Sequence, residues 1–148
     1  MQAADSKTEV GLKAWLQLIK GYQLCYAALG QAFKELDLSV AQHDLLAALY
    51  RKNGQRQQDL ATKLLVVKSN VTALLNRLEM RGLVKREADV EDARVKRVFL
   101  TPAGQKMVET SLELQRQIVA EMIRPLSEDE VGQLDNMMRR VRAQLERR

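Results

Sequence analysis

The chain has one cysteine, one histidine and two prolines in 148 residues. A lone Cys25 excludes an intramolecular disulfide, and one cysteine with one histidine cannot supply the usual ligands of a zinc ion. No apolar run approaches the roughly 20 residues that a bilayer span requires. The opening MQAADSKTEVGLKAW lacks a basic stretch followed by an apolar one, the pattern of a secretory signal. These absences predict a cytoplasmic protein with no membrane partner. The seven glycines are scattered and form no phosphate-binding cluster. No nucleophile–base pair or metal cluster can be read, so the expectation is no enzyme, no catalytic residue, no metal and no cofactor. The first proline is Pro102, which leaves the preceding chain free to form long helices.

What is present is a globular composition, 46% apolar and 29% charged. The length suits one domain over 1–148, with enough chain to bury a core. The net charge of +5 is local: residues 51–100 hold twelve Lys and Arg against six Asp and Glu, and the rest is nearly balanced. A confined basic field points to a polyanion, most commonly nucleic acid, although a solvated basic surface would have the same composition.

Residues 8–37 read as one long helix. Trp15, Tyr22, Tyr26 and Phe33 fall within about 40° of one another on it, flanked by Leu12, Ile19 and Leu29. That stripe suits a core or subunit contact, and its rings could also wall a ligand pocket. Residues 41–52 form a second helix capped by Ser39, with Leu45, Leu46 and Leu49 inward and Asn53-Gly54 as its stop. A short third helix spans 57–65. The fourth, 69–82, has Val71, Leu74, Leu75 and Leu78 at i, i+3, i+4 and i+7, and Gly82 at the place of a C-terminal cap. Its opposite face presents Ser69, Asn70, Ala73, Asn76 and Arg77 without an acid.

The pattern then changes to two strands, 83–87 and 95–100, around a polar tip 88–94. Thr101-Pro102 starts a helix running to about 124. Ser127 with Glu130 is a capping box for the last helix, where Val131, Leu134, Met138, Val141 and Leu145 make a seam at steps of three and four. The predicted fold class is mainly α with a small β-wing: a winged helix-turn-helix over 38–101, with 1–37 and 102–148 as a helical dimerisation region.

This order suits duplex DNA. The major groove admits one helix, whose short polar and Arg side chains read base edges. A hairpin can reach the adjoining minor groove, whose negative potential attracts arginine. Arg94 is the candidate there, and Asp92 is expected to fix it by a charge-assisted hydrogen bond.

The stretch NVTALLNRLEMRGLV, the D-x-x-D-x-R spacing of Asp89, Asp92 and Arg94, and LTPAG at 100–104 together resemble the multiple-antibiotic-resistance regulator (MarR) family over about residues 39–105. The resemblance implies a winged-helix homodimer that binds a pseudo-palindromic double-stranded DNA operator. It also implies a small-molecule or redox signal that changes affinity for that DNA, and the expected function is a repressor whose DNA affinity is changed by a small aromatic or anionic ligand. By position it implies DNA contacts from Lys68, Ser69, Asn70, Thr72, Ala73, Asn76, Arg77, Arg94 and Lys96. Val67 stands where the family often has a capping Ser or Thr, a role Ser69 could take.

The sequence suggests Trp15, Tyr22, Tyr26, His43 and Arg51 as ligand-pocket residues. Cys25, in YQLCY, is similar to the peroxide-sensing branch of the family, although Leu29 stands where that branch has a tyrosine. A structural cysteine and an oxidant sensor both remain open, as does a sequence-neutral architectural DNA-binding protein. The polar, lysine-free face of 69–82 argues against the last.

Overall fold

Leucines at 45, 46 and 49 give the helix Val40–Arg51 (α2) an apolar face that the chain folds to cover, leaving all three without exposed surface. The computed structural model describes residues 2–64 and 70–148, with side chains from Asp5 onward. The order is α1 (Gln2–Phe33), a 3-10 turn (Lys34–Leu36), α2, β1 (Gln55–Arg56), α3 (Gln57–Lys63), α4 (Val71–Met80), β2 (Val84–Ala88), β3 (Lys96–Leu100), α5 (Pro102–Ile123) and α6 (Glu128–Glu146). The fold is mostly helical with one small antiparallel sheet, as the sequence predicts. Two compact units divide it, residues 1–115 and 116–148. No helix among the described residues is long and apolar enough to cross a membrane.

The core of the first unit collects Phe33 from α1, Leu45, Leu46 and Leu49 from α2, Leu60 from α3, Val71, Leu75 and Leu78 from α4, Val84 and Val98 from the strands, and Val108 from α5. The predicted inward faces of α2 and α4 thus land in one cluster, together with Leu60 of α3. The start signals also work as expected. Ser39 Oγ accepts from the Gln42 N–H at 3.1 Å while Gln42 Oε1 accepts from the Ser39 N–H, and Ser127 does the same with Glu130. Thr101 Oγ1 accepts from the Gly104 N–H, with Pro102 in the first turn of α5.

Three features differ from the sequence reading. The first helix begins at Gln2, six residues before the predicted start, and stops at Phe33, four residues early. The Leu38 N–H donates to the Phe33 carbonyl, and Asp37 turns into the left-handed region at φ 52°, so the chain can bend into α2. A third strand, β1, pairs with β3 through Gln55↔Val98 and Arg56↔Arg97, giving the order β1-β3-β2. Two residues carry no periodicity, so only the pairing defines it. The aromatic stripe also divides: Phe33 is buried, whereas Trp15, Tyr22 and Tyr26 are 56%, 55% and 46% exposed.

Two clasps fix α4. After its last turn Gly82, at φ 71°, lets the Leu83 N–H reach back to the Leu78 carbonyl and the Gly82 N–H to Glu79. The Arg81 guanidinium then donates to the carbonyls of Asp37 and Leu36, at 2.5 and 3.0 Å. Gly104 lies against the loop between α4 and β2, where a Cβ would sit 1.9 Å from the Leu83 carbonyl oxygen. Gly132 in α6 has nothing within 4 Å. Gly104→Ala is therefore expected to cost about 3 kcal/mol or more of unfolding free energy in denaturant titration. Gly132→Ala should stabilise by roughly 0.5–1 kcal/mol, because alanine loses less backbone freedom in a helix.

Candidate nucleic-acid interface

Helix α4 buries Val71, Leu74, Leu75 and Leu78, which turns Thr72, Ala73, Asn76 and Arg77 to the outside. Asn70, just before it, is also exposed. Lys68, Ser69 and the turn from Leu65 to Val67 lie outside the described residues. Among the predicted contacts that are described, five therefore share the exposed side of α4 and its entry. Thr72 Oγ1 accepts from Gln57 Nε2 of α3 at 3.1 Å.

The wing rises beside this helix. β2 and β3 pair from Val84↔Leu100 to Ala88↔Lys96. At the tip, Arg94 is 91% exposed, and Asp92 holds it: Oδ1 accepts from the Arg94 N–H at 3.0 Å and from Nε at 3.1 Å, and Oδ2 from Nη2 at 3.2 Å. The expected tie between Asp92 and Arg94 is present. It leaves Nη1 without a bond to Asp92, and it holds the Asp92 carboxyl below the ordinary carboxylate range. Lys96 is exposed at the foot of the tip.

Two ties were not read from the sequence. Arg97 Nε pairs with the carboxylate of Asp89, whose side chain is 6% exposed, and Arg97 Nη1 donates to the Gly54 carbonyl at 2.9 Å. The guanidinium keeps Asp89 ionised to lower pH than usual. Arg86 of β2 reaches α4, with Nε 3.0 Å from Glu79 Oε2 and Nη2 2.6 Å from Asn76 Oδ1. The bond from Arg86 lowers the Glu79 pKa, so the only acid on α4 stays ionised and is paired in place. A signal for it does exist: Arg86 stands two residues after the buried Val84, on the strand face toward the interior.

The five suggested ligand-pocket residues do not come together within the first unit. Trp15, Tyr22 and Tyr26 stand on the open face of α1, with Tyr22 and Tyr26 in tilted contact at 5.9 Å. Arg51 lines a cavity of about 240 Å3 with Asp44, Lys52, Gln55 and Lys63. Cys25 is half-buried. His43 is 1% exposed, a buried residue in the first turn of α2. Its ring lies 4.4 Å from the Phe33 ring, centroid to centroid, with Nδ1 2.8 Å from Ser111 Oγ and Nε2 3.3 Å from Gln115 Oε1.

Burial pushes the His43 pKa down. The unfolded chain therefore binds the proton more readily than the folded one, and the stability present above the unfolded value of about 6.5 is lost as pH falls below it. Unfolding free energy should decline from pH 7 to pH 5 in the wild type. The decline should be smaller in His43→Gln, which removes the chain's one histidine; urea titrations giving the same loss of unfolding free energy between pH 7 and pH 5 in both proteins would contradict this.

Comparison with known proteins places this geometry. The model of the MarR family matches residues 38–96, from the start of α2 to the foot of the wing. The regulator MhqR of Bacillus subtilis is 28% identical over 134 residues, covering 90% of this chain and 92% of its own. The transcriptional regulator HosA of Escherichia coli is 32% identical over 94 residues, covering 64% of this chain and 70% of its own. The solved structure of BpsR from Bordetella bronchiseptica, whose DNA binding is regulated by 6-hydroxynicotinic acid, superposes with a TM-score of 0.78. It is 25% identical, covering 87% of this chain and 98% of that one. MhqR and HosA are named as transcriptional regulators, not enzymes.

Proposed function

Because the chain belongs to the MarR family of winged-helix transcription regulators, we propose that it is a cytoplasmic homodimeric repressor that reads a pseudo-palindromic operator. In this reading α4 enters the major groove. Thr72, Ala73, Asn76 and Arg77 face base edges, while Asn70, Lys68 and Ser69 meet the groove at its entry. Arg94 reaches the neighbouring minor groove, and Lys96 contacts phosphate. The observation that carries it is the exposed, polar side of α4 standing beside an arginine-tipped wing whose arginine is held outward by Asp92.

The second copy accounts for the open face of α1. Leu12, Trp15, Ile19, Tyr22 and Tyr26 remain exposed there, a contiguous apolar surface that a monomer rarely leaves to water. On α6, Leu134, Val141 and Leu145 are exposed in the same way. A two-fold pair would also set two reading helices on successive turns of the duplex. The effector is a small aromatic or anionic molecule. Its support is the aromatic acid that regulates BpsR and the cationic cavity formed by Arg51, Lys52 and Lys63. Addition of 6-hydroxynicotinic acid to the complex should release DNA, and Arg51→Ala should blunt that release. Release that survives Arg51→Ala unchanged would move the effector elsewhere.

With an operator duplex chosen from the gene's own upstream region, fluorescence anisotropy should show affinity falling about a thousandfold between roughly 50 and 200 mM salt. Arg94→Ala should weaken binding to every sequence and reduce the salt slope by about 1, whereas Asn76→Ala should relax preference at one base pair of each half-site. Unchanged binding in both variants would remove α4 and the wing from the interface. Sedimentation should give a dimer for the wild type and a monomer for Trp15→Glu with Tyr22→Glu. A doubly substituted chain that stays dimeric would place the subunit contact away from α1.

A further inference from the structure

We propose that Arg86 sets the base preference of the reading helix: by holding the carbonyl oxygen of Asn76 toward β2 it leaves the NH2 limb of that side chain to meet the DNA, a donor matched to guanine instead of adenine. The inference rests on the DNA-reading role given to Asn76 above.

The orientation of the Asn76 amide follows from its partner. A guanidinium has five N–H donors and no acceptor. The amide atom 2.6 Å from Arg86 Nη2 must therefore be the oxygen, and the NH2 group occupies the other limb. A free asparagine pairs with adenine through both limbs, its oxygen accepting from N6 and its nitrogen donating to N7. Here the oxygen already faces a charged donor. The oxygen keeps a second lone pair, but the bond from Arg86 is charge-assisted, the stronger kind, and directs that limb toward β2 and away from a paired approach to adenine. Guanine asks for no acceptor: its major-groove edge offers O6 and N7, both acceptors, to the two N–H groups of one amide.

Arg86 is also held where it is. Its Nε donates to Glu79 Oε2 at 3.0 Å and its Nη2 lies 3.3 Å from Glu79 Oε1, with the Arg86 side chain only 22% exposed. Glu79 stands three residues after Asn76, so the two side chains share one face of α4. The guanidinium spans both from β2. Glu79, the one acid on the helix, thus anchors the arginine that polarises the reader. Arg86 is a positioning residue in this arrangement and need not touch DNA.

The test is selection of duplexes from a random library by the full-length wild type, by Asn76→Ala and by Arg86→Met. The base pair whose preference vanishes in Asn76→Ala is the one that Asn76 reads. The expected wild-type preference there is guanine. In Arg86→Met it should shift about tenfold toward adenine while preferences at the other positions persist, and circular dichroism should show an unchanged fold. Should Arg86→Met fail to fold, the wild type still decides. Placing 7-deazaguanine, which lacks the N7 acceptor, at that position should weaken binding about tenfold. Adenine preferred by the wild type, no preference altered by Asn76→Ala, uniform weakening without a change of base in Arg86→Met, or indifference to 7-deazaguanine would each overturn the role of Arg86 and leave the DNA-reading function standing. A wild type that enriches no sequence would overturn that function and this inference together.

Discussion

The buried carboxylate of Asp89 is the fastening on which the DNA-facing surface depends. It accepts from Arg97 Nε and, at 3.3 Å, from the Asp92 N–H. Arg97 passes the connection on to the Gly54 carbonyl at the turn between α2 and β1. A carboxylate so withdrawn from water is tolerable only with a charged partner and further donors. The pair therefore constrains three things together: the hairpin, the short strand β1 and the end of α2. Nearby, the buried Gln55 side chain donates to the carbonyls of Ala48 and Lys52, closing the open end of α2. The tip of the wing can be polar and extended because its base is tied down by these contacts.

Above that base, the exposed charges are organised in pairs. Asp92 aligns Arg94, and Glu79 aligns Arg86. In solvent such pairs contribute little to stability. Their value lies in direction: each carboxylate takes some of the guanidinium's donors and so fixes where the remainder point. A site rich in arginine is in this way given a shape as well as a charge.

Much of this was legible in the sequence, for identifiable reasons. Ser39, Thr101, Gly82 and Ser127 announce helix ends through local chemistry that needs no tertiary partner. The stripe of Val71, Leu74, Leu75 and Leu78 states its own burial through a period of 3.6. What escaped was contact between elements. Arg97 and Gly54 are 43 positions apart, and Arg86 meets Asn76 across a turn and a change from helix to strand. Strand β1 exists only because β3 passes beside it. The early end of α1 is decided by the bend at Asp37, which depends on the packing of Phe33 and Leu38 below it. His43 reads as a polar residue in the first turn of a helix, and only its contacts with Phe33, Ser111 and Gln115 reveal it as part of the interior.

The grip of Arg81 on the carbonyls of Leu36 and Asp37 has a mechanical meaning when set beside that of Arg86 on the opposite flank. Helix α4 is tied at one side to the joint between α1 and α2 and at the other to the hairpin. In the proposed function, a signal that reaches this lobe would swing helix and wing together. In the proposed dimer, control would then resemble a caliper, altering the gap between two jaws while the fit of each jaw to its own half-site stays the same.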